Sequence, residues 1–400
     1  MLDAVVIGCG GVGSFALRAL ARETKNILGV ERFALNHSKG SSHGQSRIYR
    51  RAYFEDPNYV PWIDYSLDQF SELEALSGLS LKKECGMLLA QEDDGGYLRT
   101  SLQSAKEHNI PIETLDANQL RQRFPQFRFL SEDMMGIYEP GAGVLRPERT
   151  MKAAIDEAMS NGAKILENTQ VQSIKEVKDI GSTYVEVIVK YSNGEIGRIE
   201  AKYALIAAGA WASELIPSYA SHLTVTRQLQ CWVNITDTQE STSYKIGQMP
   251  AFVIVSPGWP QPLYGLPADD GCDGEVYKSC IKVGVHERPV IVNPNQNSSD
   301  VTIDEVDEMK QAMYTGLNQE LCSLPYQEVQ PCLYTMTKDS DYLIGAPQEF
   351  TNVCTVAGLS GHGFKMIPAL GQMLADFALE RGSLEERWNT SFCSPRRFGV

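Results

Sequence analysis

The chain opens with a short apolar strand at residues 4–7, then Gly8-Cys9-Gly10-Gly11-Val12-Gly13, then an apolar helical stretch from Ser14 to about Glu23. Few folds accept that order. The glycines let the backbone turn tightly and approach a pyrophosphate, and the helix start presents unpaired amides and the positive end of its dipole. A second strand is expected at residues 26–30. It ends on Glu31, 23 residues after Gly8, near the roughly 20 expected of the acid that binds ribose hydroxyls. The spacing predicts a dinucleotide-binding βαβ unit with Gly8, Gly10, Gly11, Val12 and Gly13 at the phosphates. Glu31 would repel a 2′-phosphate, which argues against NADP but does not separate nicotinamide from flavin.

A chain of 400 residues, 43% hydrophobic, exceeds what one core usually supports, about 250–300 residues. Two domains are therefore expected. A formal charge of −14 is the opposite of a nucleic-acid footprint. The nine cysteines are scattered with no CxxC pair, so neither a metal site nor a disulfide framework is expected. No apolar run reaches the roughly 18 residues of a membrane span. The first 21 residues lack a basic leader, carry glycines where a signal helix would run, and the chain does not end in a peroxisomal tripeptide. The expected location is cytoplasmic.

Periodicity predicts helices at residues 58–79, 97–108, 149–161, 301–317 and 368–381. Strands are expected at 85–91, 163–167, 185–191, 201–207 and 352–357, with 223–286 strand-rich. Nucleotide-binding signals thus recur at the start, near Gly209 and near Gly358, as in a cofactor domain built from separated pieces.

Four further segments carry chemistry. In residues 40–51, a helix from Gln45 onward would set Arg47 and Arg50 on one face. Two guanidiniums there suit a carboxylate and the electron-rich edge of a cofactor, although a solvated basic turn reads the same. In residues 282–286, strand alternation puts Lys282, Gly284 and His286 on one face, with Gly284 leaving room for a ligand; a surface strand gives the same pattern. Cys332 and Tyr334 likewise share a strand face, where a buried inert thiol is the usual outcome. Residues 358–365, Gly-Leu-Ser-Gly-His-Gly-Phe-Lys, follow a core strand, and their glycines free backbone amides to face a ligand.

Taken in order over about residues 5–381, these segments resemble the monomeric sarcosine oxidase, L-pipecolate oxidase and N-methyltryptophan oxidase family of covalent flavoproteins, within the D-amino-acid-oxidase-like group. The specific matches are residues 40–53, 332–337 and 360–365. The resemblance implies an α/β fold: a Rossmann-type, glutathione-reductase-like FAD domain plus a substrate domain with a large, mostly antiparallel sheet. The FAD domain would comprise 1–56, 144–220 and 326–385, the substrate domain 57–143 and 221–325, and 386–400 a tail.

The resemblance further implies FAD joined through its 8α-methyl carbon to Cys332. Arg50 and Lys365 would bind the substrate carboxylate, and His286, Tyr264 and Tyr334 would line the substrate pocket. Arg47 and His43 would lie beside the flavin, with Lys282 against its opposite face, where dioxygen reacts. Cofactor contacts would also come from Arg32, Ser41, Ser42, Val171, Ala208 and Gly209. Trp211 and Met336 would add to them, as would Gly358, Ser360, Gly361, His362 and Gly363. The implied activity is oxidation of a small secondary (N-methyl or cyclic) amino acid, such as sarcosine or L-pipecolate, to an imine. Dioxygen would leave as hydrogen peroxide, and the enzyme would be a monomer. The alternatives are a dehydrogenase or demethylase passing electrons to another acceptor, and a non-catalytic flavin-binding protein. The polar run from Asp269 to Glu275 reads as a solvated loop, or else a lid or partner surface.

Overall fold

The computed structural model describes residues 1–400 except 93–95, 130, 180, 239–240 and 260. Two large sheets and one small one organise it.

The first sheet is built on the expected opening. The strand Leu2–Ile7 runs parallel to Ile27–Val30 on one side and to the end of the long strand Ile196–Ile206 on the other. Val353–Ala357 continues the sheet in parallel beyond Ile196–Ile206, and Lys164–Leu166 beyond Ile27–Val30. Val5, Val6, Ala204 and Leu205 are fully or almost fully buried because helices or hairpin strands cover both faces, as parallel sheets require. The helices Gly11–Ala21, Pro147–Ser160 and Ile367–Ala378 pack there. A side chain at Gly371 would press on the Phe15–Ala16 backbone, so this glycine sets how closely two of them approach. Ser182–Lys190 and Gln170–Asp179 extend the sheet as an antiparallel ribbon.

The second sheet runs Tyr326–Met336, Thr224–Asn234, Cys280–Val285, Leu263–Leu266, Ala251–Ile254, Met87–Glu92, Met134–Glu139 and Glu113–Leu115. Only Ala251–Ile254 with Met87–Glu92 pairs in parallel. Strand alternation explains its use. Leu229, Cys231, Val233, Ile281, Val283 and Leu263 bury themselves with the helix Ile303–Gly316, each apolar side chain contributing about 1.5–3 kcal/mol. The intervening residues Gln230, Lys282 and Tyr264 face the other way. The architecture is the expected one: a Rossmann-type sheet joined to a large, mostly antiparallel one.

Three local expectations change. No helix starts at Gln45. Arg47–Tyr49 is a strand paired with Gly143–Leu145, because Gly44 (φ +98°) and Gln45 (φ +65°) stand in left-handed backbone incompatible with a helical turn. The helix Val60–Ser77, within the stretch assigned by sequence to the substrate side, packs its Trp62, Ile63 and Phe70 into the first sheet's core. The polar run after Tyr264 is only partly solvated: Asp270, Asp273 and Gly274 are exposed, but its base is anchored. Asp269 is buried in a bidentate pair with Arg146, Asp273 pairs with Arg149, and Cys272 is buried. No described helix is long and apolar enough to cross a membrane.

Candidate active site

One cavity of about 280 Å³ runs from the first glycine loop to Lys365. At the first end, Gly8 (φ +89°) turns the chain where a Cβ would press on Ala207 O. Gly10 gives helix Gly11–Ala21 no side-chain cap, and Gly11 N donates to Ser42 Oγ (3.3 Å). Gly10, Gly11 and Val12 line the cavity, whereas Gly13 lies inside the helix, where a Cβ would overlap Gly8 O. Glu31 also lines it and accepts from Cys9 N (2.8 Å) and Phe33 N (3.0 Å). Burial works against its charge, but His37 and these two amides hold its carboxyl below the usual range. Arg32, Ser42, Val171, Ala208, Gly209 and Trp211 flank this end, with Ser41 further along, donating to Leu333 O.

The middle of the cavity carries two basic groups, Arg47 and Lys282; burial first, then Arg47, holds the Lys282 ammonium well below its ordinary range, with Glu148 opposing. Lys282, almost fully buried, donates to Gly44 O (3.0 Å), Ser46 O (2.6 Å) and Gln230 Oε1 (2.9 Å). Glu148, at the start of its helix, holds that turn by accepting from Gly44 N and Gln45 N. Arg47 donates to Ser41 O, Ser46 O and Gln230 Oε1, and its Nη2 stands 4.0 Å from Cys332 Sγ. Burial pushes the Cys332 thiol up, while Arg47 and Lys282 offset this. Burial, then Arg47 and Lys282, take His43 down to about 3; its ring lies off the cavity lining, as does Met336 at the end of its strand.

At the far end, Arg50 lies over the ring of Phe54 at 3.6 Å and donates to Glu55 Oε2 (2.6 Å) and Ala52 O (3.2 Å). Lys365 donates to His362 O (2.7 Å) and Tyr53 OH (3.4 Å). Burial first, then Arg50, takes Lys365 down to about 7, with Glu55 opposing. His286 falls to about 4, chiefly by burial, and so is neutral at pH 7. Its Nδ1 is 3.4 Å from Tyr334 OH. The space over Gly284 is filled by the ring of Tyr264 rather than left open for a ligand. Gly358 (φ +62°), Ser360 (φ +44°) and Gly361 (φ +81°) curl the last loop against Tyr334. In that loop His362 Nδ1 contacts both Tyr53 OH (2.7 Å) and Tyr342 OH (2.8 Å).

The sequence reading overlooked Glu55 and Gln230. Glu55 follows Arg50 by five residues without a motif. Gln230 is polar at an alternate position of an apolar strand, a pattern that ordinarily marks a solvent face.

A glycine loop opening a helix at one end and buried, unpartnered polar atoms beyond it (Gln230 Nε2 and Glu55 Oε1) are features of a site built around a long, polar ligand. Such a fold and site define a dinucleotide-binding oxidoreductase. The family described as FAD dependent oxidoreductase matches residues 3–377, and the chain belongs to it. It is 31% identical to a monomeric sarcosine oxidase of Streptomyces avermitilis, covering 94% of this chain and 93% of that one. It is 29% identical to an N-methyl-L-tryptophan oxidase of Yersinia pestis, covering 95% and 96%. Among solved structures it is similar to NikD, an unusual amino acid oxidase essential for nikkomycin biosynthesis (TM-score 0.79, 19% identity, 98% and 97% covered). It is also similar to L-proline dehydrogenase from P. horikoshii (TM-score 0.78, 21% identity, 99% and 97% covered).

Proposed function

We propose that the protein oxidises a small secondary amino acid, N-methyl or cyclic, to its imine, with dioxygen as electron acceptor and hydrogen peroxide as by-product, and that it works as a monomer. The observation that carries this reading is a single cavity holding two cations, Arg50 and Lys365, at one end and the cationic pair Arg47 and Lys282 beside Cys332 in the middle. FAD supplies the two-electron chemistry when bound. The first glycine loop, Glu31 and the residues around Gly209 would hold its nucleotide half, and Cys332 its ring, by a thioether.

Arg50 offers a planar fork and Lys365 a point charge, the pair that best fixes a carboxylate. Glu55 already holds one side of the fork, so the substrate carboxylate shares Arg50 rather than owning it. The same cations disfavour an ammonium nearby, and His286 adds no charge at pH 7. The substrate amine is thereby kept in the unprotonated form that oxidation requires. Tyr264, Tyr334 and Phe54 close the pocket around the carbon chain and exclude water.

The test is an absorbance spectrum before and after acid precipitation, followed by oxygen uptake with sarcosine, L-pipecolate, L-proline and N-methyl-L-tryptophan. Yellow colour in the pellet and uptake with one of these is the expected result. Flavin in the supernatant removes the thioether. Substrate-dependent bleaching without oxygen uptake replaces the oxidase by a dehydrogenase.

A further inference from the structure

Lys282 Nζ faces three acceptors, Gly44 O, Ser46 O and Gln230 Oε1. Only an ammonium has three N–H groups to satisfy them. Two of the acceptors are fixed backbone. The third, Gln230 Oε1, also takes Arg47 Nη1 at 3.1 Å. Lysine and arginine only donate, so the carbonyl oxygen of Gln230 must point at them and its Nε2 must point away. That Nε2 is buried without a partner, in a residue that lines the cavity and is 2% exposed. Leaving a buried amide donor unpaired is costly, so the arrangement suits an acceptor within the cavity. Gly44 belongs to it too, because a side chain there would overlap Gln230 Oε1.

We propose that Gln230 is a positioning residue that clamps Lys282 and Arg47 side by side as cations over the cofactor site. Without a shared acceptor, two positive groups in a dry site repel, and the lysine sheds its proton first. The charged and titratable groups facing Lys282 are Arg47 and His43 from the loop and strand before residue 50, Glu148 from the helix start, and the thiols Cys272 and Cys332. Of these only Glu148 is an anion, and the Gly44 and Gln45 amides engage it. The clamp therefore falls to Gln230. This inference rests on the flavin reading, and its oxygen arm on the oxidase reading.

The test uses holoenzyme, reduced by light without substrate and mixed with dioxygen across pH, with the flavin midpoint potential measured separately. Gln230→Met keeps the length and removes both polar atoms. Its reoxidation should slow at least tenfold, its loss of rate with rising pH should set in at lower pH than in the wild type, and its potential should become more negative. Gln230→Glu restores an acceptor, so its loss of rate should move to higher pH than in Gln230→Met. Unchanged reoxidation and potential in Gln230→Met overturn the proposal, as does a Gln230→Glu profile identical to that of Gln230→Met. Should Gln230→Met fail to hold flavin, an alkaline limb in Gln230→Glu no higher than in wild type overturns it. A wild-type reduced enzyme no faster with dioxygen than free flavin ends the oxidase reading alone, and the potentials still judge Gln230.

Discussion

Lys365 titrates close to neutrality because burial and Arg50 both disfavour its charge. Its ordinary value lies far above, so raising the pH through about 7 discharges it and removes one of the two carboxylate partners. A carboxylate without an amine, such as acetate, should therefore bind less tightly above pH 7, read from its perturbation of the flavin spectrum. Lys365→Met should bind it weakly at every pH and lose that dependence. Cys332→Ala should leave flavin extractable by acid, since the other described cysteine lining the cavity, Cys9, sits at the first glycine loop, away from Arg47. Lys282→Met should slow reoxidation on the order of 10²-fold, the usual loss when one preorganised electrostatic group is removed. Its flavin reduction by substrate should change far less, and equal losses in both half-reactions would place Lys282 elsewhere in the cycle. Lys365, Lys282 and Cys332 stood in segments that the chain marks out locally, but their roles came only from the family resemblance. Glu55 could not be picked out, because nothing near Arg50 in sequence says that its fork is already half engaged.

Between residues and fold, the glycine positions carry the clearest expectations. Gly361 combines φ +81° with contact against the Tyr334 ring. Gly361→Ala should destabilise the protein by about 1–3 kcal/mol and raise KM by displacing Tyr334, measured by thermal unfolding and steady-state kinetics. A neutral effect on both would show that the loop yields. The opening strand–loop–helix was legible because apolar spacing and glycine chemistry agree locally. The strand Tyr326–Met336 was legible only near Cys332, since Pro331 argues against a strand. It is tolerated because this strand lies at the edge of its sheet. The stretch after Gln45 misled for the opposite reason. Its residues suit a helix, but two left-handed backbone positions and pairing with Gly143–Leu145 override that preference.

Across the molecule, the cavity lies between the first sheet's glycine loop and the second-sheet strands that carry Lys282 and Cys332, with Arg47 supplied from the small third sheet. The Arg146–Asp269 pair helps to lock that junction. It joins the start of the helix Pro147–Ser160 to the loop after Leu263–Leu266, with both partners buried. Asp269→Ala would strand a buried guanidinium, and a loss of about 3–5 kcal/mol is expected in denaturant unfolding. A loss below about 1 kcal/mol would mean that solvent reaches Arg146.

By itself the sequence determined the features that depend on neighbours a few residues apart. These are the dinucleotide-binding opening, the glycine loop before Lys365, and the strand alternation that sets Lys282 and His286 on one face. Only the tertiary structure decided which of those faces look at each other. Lys282 lines the cavity rather than the surface because Gly44 O, Ser46 O and Gln230 Oε1, from two distant segments, converge on it. A charge stays buried only where such partners are supplied, and long-range packing alone supplies them.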